Sequence, residues 1–278
     1  MSNLALGLLL YPGLALVLVL ALVFGWLTEG RVRFGWRRNP DKRRGGVAWA
    51  SLDGMLSLAS MLLAALALAL LPWPLHPAAG WAWLGHPVAL WIALEGAFLL
   101  PLLAGLLAPA ALGERATSRE AQISVAGRCV VWLAIGIALW AGAGWDVRAL
   151  PCRVLAALAG LLALPAAIGT GPFGAERSLN AAGAEEGLDE ATASLVRFAR
   201  TARGAALLAA LIVASLPPVL LQPWVALLLI AGLFMLITLL LNRISGALPR
   251  LTLPAALHWC WWRALPLALV GLVYLIFV

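Results

Sequence analysis

The chain has 278 residues, 64% of them hydrophobic and 11% charged, with a formal net charge of +7. Soluble domains carry about 25% charged residues, so this balance excludes an ordinary soluble fold. The apolar runs reach the roughly 20 residues that a helix needs to cross a bilayer, and the chain reads as an all-α polytopic membrane protein.

About eight transmembrane helices are predicted, over residues 4–27, 48–72, 87–111, 123–143, 151–169, 204–222, 224–242 and 259–278. Together they form a single transmembrane helical domain, 1–278, with an acidic cytoplasmic loop at 170–203. The first span is too long for a cleaved signal and lacks a basic n-region. It runs into "RVRFGWRRNPDKRRGG", which holds Arg31, Arg33, Arg37, Arg38, Lys42, Arg43 and Arg44. Topology and contact with anionic lipid heads account for such a loop, and docking of a soluble partner is the alternative. Asp53 opens the second span, either as a cap favoured by the helix dipole or as the mouth of a polar cavity.

The next connection, "PWPLHPAAGWAWLGHP", places His76 and His86 among tryptophans suited to a membrane interface. In the third span, Glu95 is a carboxylate in the middle of an apolar run. Such a group faces the bundle interior or a wet cavity and often marks an ion path. Burial alone favours its neutral form, which suits a proton relay, and a hydrogen bond gluing two helices is the simpler role. Between spans five and six lie Glu176, Glu185, Glu186, Asp189 and Glu190, a large share of the chain's 12 acids. Closely spaced carboxylates share protons, which suits proton entry or contact with basic partner groups. A solvated loop is the plainer alternative. The letters "GTGPFG" fit a nucleotide-binding pattern, but they follow a membrane helix and contain a proline, so they read as a turn.

Orientation follows from the 19 Lys and Arg residues, all of which except Arg148 and Arg153 fall on one side of this arrangement. By the positive-inside tendency that side is cytoplasmic, and both termini lie on the outer, periplasmic side. The positive charge is thereby explained by topology, and no nucleic acid is expected. Cys129, Cys152 and Cys260 are scattered, and His258 lies near the last span, so neither a metal site nor a catalytic residue is expected.

Four segments, in order, resemble one family. They are "TEGRVRFGWRRNPDKRRGGVAWASLDG" with Glu29 and Asp53, and "TSREAQISVAG" with Arg119, Gln122 and Ser124. Then come Pro172-Phe173 followed by Glu176, Gly183 and Glu186, and finally "RISGALPRLTLPAALHWCWWRALPLAL" with Arg243, Pro249, Arg250, Trp262 and Pro266. This pattern resembles the subunit-1/subunit-H family of respiratory complex I, the NADH-quinone oxidoreductase, and its counterpart in group 4 membrane-bound [NiFe] hydrogenases and formate hydrogenlyase. The chain departs from that pattern at Gly174, where the family places an aspartate.

The resemblance implies a junction subunit of an ion-translocating redox complex in a prokaryotic inner (cytoplasmic) membrane. It implies no cofactor bound by this chain, with quinone admitted at a partner interface. Its implied partners are cytoplasmic iron–sulfur and catalytic subunits carrying nickel–iron or flavin, antiporter-like and small membrane subunits, and membrane lipids. Residues expected on the proton path are Glu95, Glu176, Glu185, Glu186, Asp189 and Glu190. Those expected at a quinone cavity or partner interface are Arg37, Arg38, Asp53, Arg119 and Arg250. A stand-alone secondary transporter and a purely structural membrane anchor are the alternatives.

Overall fold

The computed structural model describes residues 7–29, 51–77, 84–107, 111–141, 147–174, 188–216 and 222–277. Among these there is no strand, and eight helices are long and apolar enough to cross a membrane. They are α1 Leu14–Glu29, α2 Leu52–Ala69, α3 Pro87–Leu107, α4 Ala111–Trp140, α5 Leu150–Ile168, α6 Glu190–Ser215, α7 Pro223–Ala247 and α8 Leu253–Phe277. The protein is a multi-pass helical membrane protein.

Two helices begin well before the apolar runs that announce them. α4 starts at Ala111 rather than near 123, and α6 at Glu190 rather than 204, so the C-terminal part of the expected 170–203 loop is helical. Hydropathy marks where a helix meets lipid, whereas caps and polar partners decide where it starts. Asp189 is the N-cap of α6, its carboxylate accepting from the Thr192 amide at 3.2 Å. Between the two polar extensions, the Arg200 guanidinium of α6 meets the Glu120 carboxylate of α4 at 3.0 Å.

α6 is the centre of the bundle, packing on α1, α2, α3, α4, α5 and α7. Its run Gly204–Ala214 is buried on every side. The composition explains this: alanines at 205, 206, 209, 210 and 214 let neighbouring backbones approach, which is how membrane helices pack when no water drives them together. The same logic joins α4 to α5, where Gly127 lies directly against the backbone of Ala166 and Ala167. α7 and α8 sit on the periphery, with long rows of exposed apolar residues suited to lipid or neighbouring subunits.

α5 stops at Gly169, whose φ of 71° is the left-handed conformation that caps helices and that glycine adopts without steric cost. A single 3-10 turn follows, Gly171–Phe173. "GTGPFG" is thus the turn by which the chain leaves α5. Gly171, at φ 60°, packs so closely on Ser245 of α7 that a side chain there has no room.

Candidate functional site

The helix ends carrying Asp53, Glu120 and Arg200 face one another at one end of the bundle, termed here the basic end. They line a small cleft, formed by Asp53 and Ser57 of α2, Gly105 of α3, Thr117 and Glu120 of α4, and Arg200 and Arg203 of α6, among others. Arg203 lies deepest among these charges and is 4% exposed. α6 begins at Glu190, so Arg203 stands more than three turns inside its helix rather than in a loop.

A proline explains what holds Arg203. Pro101 inside α3 has no N–H to give the carbonyl one turn earlier, that of Ala97. Membrane interiors leave no water to satisfy such a group, so side chains must. Ser60 Oγ donates to that carbonyl at 2.7 Å and Arg203 Nη1 at 3.4 Å. The guanidinium also lies 5.5 Å from the centre of the Phe98 ring.

Phe98 has a second cation on it, Arg128 of α4, at 4.7 Å. Arg128 in turn grips Glu95 with two nitrogens: Nη2 donates to Oε1 at 2.7 Å, and Nε to Oε2 at 2.9 Å. The indole of Trp132, one turn further along α4, donates to Oε2 at 3.1 Å. Glu95 is therefore no isolated carboxylic acid: it is one half of a forked ion pair whose side chains are 1% (Arg128) and 14% (Glu95) exposed. This geometry is the strong form of the arginine–carboxylate contact. At this depth each charge is tolerable because the other is there.

The result is a polar line through the bundle, from the cleft to Arg203, across Phe98 to Arg128, and on to Glu95. Along it, Arg203 Nε, Arg128 Nη1 and the hydroxyls of Ser57 and Thr117 are buried with no hydrogen-bond partner among the described residues.

A second cluster tightens the basic end. Arg119 Nη2 donates to the Leu251 carbonyl at 2.8 Å, and the Leu251 amide donates to Pro172 O at 2.9 Å. Phe173 meets the Trp259 indole edge-on at 6.3 Å. Three of the four segments singled out in the sequence, those around Arg119, Pro172 and Arg250, thus meet at one place, and the fourth supplies Asp53 to the cleft nearby.

The expected site residues fare differently. Glu95 lies on the polar line and Asp53 on the cleft that opens it. Arg119 braces the start of α8, and Arg250, next to the Leu251 it braces, is exposed. Asp189 and Glu190 are exposed at the start of α6, where Asp189 acts as a cap. Hydrogen bonding from the side chain and backbone of Thr192 lowers the Asp189 pKa below the usual carboxylate value. Arg37, Arg38, Glu176, Glu185 and Glu186 lie outside the described residues.

Sequence reasoning missed Arg128 and Arg203, counting both as topological charges, Arg128 at the start of span four and Arg203 in the connection after span five. The signal was present in the spacing. Arg128 falls inside a long helical run that continues to Trp140, and Arg203 follows Asp189 by a distance a capped helix easily covers.

No known protein family matches the chain, and no curated protein matches it. Among solved structures it is similar to a chain of the membrane-bound sulfane sulfur reductase, an archaeal respiratory membrane complex. The match has a TM-score of 0.66 at 15% identity and covers 99% of this chain and 100% of that one. The likeness is one of fold, and it runs end to end.

Proposed function

We propose that this chain is a membrane subunit of a complex I-like, ion-translocating redox complex, joining a cytoplasmic redox arm to an ion-transporting membrane arm. The observation that carries the reading is the Glu95–Arg128 pair at the end of a polar line that starts in the basic-end cleft. A structural anchor has no use for buried charges, which cost free energy wherever they do not do chemistry or conduct. The end-to-end likeness to a chain of a respiratory membrane complex supports the same reading.

In this reading the basic end is cytoplasmic and the termini face the outer side of a prokaryotic inner membrane. The chain holds no redox cofactor of its own. Asp53, Arg119 and Arg250, with Arg37 and Arg38, form the surface met by iron–sulfur and catalytic subunits, and a quinone head has its place at that interface. Redox chemistry there changes the charge near the cleft. Arg203 and Arg128, two cations sharing the Phe98 ring, pass the change to Glu95 by electrostatics. Weakening of the Arg128–Glu95 contact lets Glu95 accept a proton from a water chain ordered by Ser57 and Thr117. Glu176, Glu185, Glu186, Asp189 and Glu190 serve as the acidic antenna of the proton path.

The test is Glu95→Gln in the assembled complex, reconstituted in vesicles. Electron transfer should continue while ion movement per electron falls at least tenfold. Unchanged coupling would leave only the anchor reading, and ion-driven flux by this chain alone in liposomes would mark it as a transporter.

A further inference from the structure

α8 sits on α5 through a stripe of small buried residues, Ala256, Cys260, Ala264, Ala268 and Gly271. Four-residue steps drift about 40° each around an α-helix, which would carry the stripe off α5. A π-helical turn at Cys260–Ala264, closed by the Leu265 amide on Cys260 O, is wider and absorbs the drift. Pro266 follows this turn and has no N–H to restore the tighter bond. The turn presents Trp261, Trp262 and Arg263 outward; Trp262 is 72% exposed.

Two contacts give the depth of this ridge. The Trp259 indole donates to Leu162 O at 2.9 Å, and Gly271 lies beside Cys152 and Leu155. α8 therefore runs antiparallel to α5, and Arg263, between Trp259 and Gly271, comes opposite the middle of Leu150–Ile168. Its guanidinium reaches back toward the basic end and stacks over Trp259 at 4.7 Å. That is the snorkelling direction. Yet Trp259 is level with Leu162, about 9 Å short of the end of α5 at 1.5 Å per residue. The guanidinium therefore lies level with the interior of α5 rather than with its end. No carboxylate among the described residues pairs with it: Glu95 is paired with Arg128 and Glu120 with Arg200.

We infer that the Trp261–Trp262–Arg263 ridge is a docking surface for a transmembrane helix of a neighbouring subunit that carries an aspartate or glutamate at mid-depth. Charge complementarity names the partner's chemistry. A cation on a lipid-facing surface is costly unless an anion meets it. Depth favours a carboxylate on a helix, because the guanidinium stacks over an indole bonded to Leu162 O inside α5, whereas a phospholipid phosphate meets a bundle at its ends. The flanking indoles supply apolar area with little side-chain entropy to lose, as in interface anchors elsewhere. The Glu95 line is not involved, so this inference stands or falls apart from the proton-path reading.

The test places a photo-reactive p-benzoylphenylalanine at position 262 of the full chain, in native membranes holding the assembled complex, and maps the cross-links by mass spectrometry. Cross-links are expected to one membrane helix with an Asp or Glu within a turn of the captured residue. Arg263→Glu and the milder Arg263→Gln should each lower that yield at least tenfold. Changing the partner's acid to Arg should restore it in the Arg263→Glu background. Cross-linking from position 224 on α7, which is 69% exposed, should stay unchanged in both variants and certify the fold. Capture of phospholipid alone, of a helix without a carboxylate, or of the same helix at undiminished yield in Arg263→Gln would overturn the inference.

Discussion

Removing either partner of the Glu95–Arg128 pair should destabilise the bundle strongly, and removing both should not. The two side chains are joined by the forked contact at 2.7 and 2.9 Å. Leaving one charge of a buried pair behind costs about 3–5 kcal/mol, whereas an apolar pair of similar volume is often neutral or stabilising. The singles should also be unequal. Glu95→Leu strands the guanidinium at 1% exposure, with the Phe98 face its nearest compensation, and belongs at the upper end. Arg128→Met leaves a carboxylate at 14% exposure that still accepts from Trp132 at 3.1 Å, so about 3 kcal/mol is expected. The double variant should fall within about 1 kcal/mol of the parent. Equilibrium unfolding of the purified protein in mixed micelles, across all four members of the cycle, measures these differences. Additive costs in the double variant, or a single-variant cost under about 1 kcal/mol, would refute the claim that the charges are buried and coupled.

Three further outcomes follow from local geometry. Gly127→Ala would set a methyl group 2.9 Å from Ala166 C and Ala167 Cα, so α4 and α5 must separate; a loss of about 1–3 kcal/mol is expected in the same unfolding assay. Asp189→Ala should cost about 1 kcal/mol and loosen the first turn of α6, seen as faster amide exchange there. Because folding lowers the Asp189 pKa, its contribution is present above the unfolded carboxylate value and disappears as pH falls through the folded one; acid should loosen that turn in the parent and leave Asp189→Ala unaffected. Cys152 and Cys260 are fully buried and Cys129 lies within the α4 span, so the native thiols are poor topology reporters. A cysteine replacing Val147, which is 82% exposed, should react with an impermeant thiol reagent on intact cells. Reaction only after permeabilisation would reverse the proposed orientation.

Much of the architecture was legible because a bilayer imposes simple demands. Apolar length marks a spanning helix, and eight such runs stand out between charged or proline-rich breaks. Glu95 announced itself because a carboxylate in an apolar run is rare, and its location in the chain needed no tertiary information. Helix starts were less legible: hydropathy gives no sign that "SREAQIS" or "ATASLVRFAR" is helical, since those segments are held by the Asp189 cap and the Arg200–Glu120 contact.

The sequence by itself determined the membrane class, the helical class and the presence of one misplaced carboxylate, because each rests on the cost of putting polar groups in lipid. Only the tertiary structure decided what that carboxylate meets. Glu95 and Arg128 come from different helices, and so do Arg203 and the Ala97 carbonyl that Pro101 leaves free. Charges far apart in a chain can look like loop residues one by one. Packed within 3 Å of an opposite charge, or against an unpartnered carbonyl, they become an interior network, since lipid punishes every buried charge that has not found its partner.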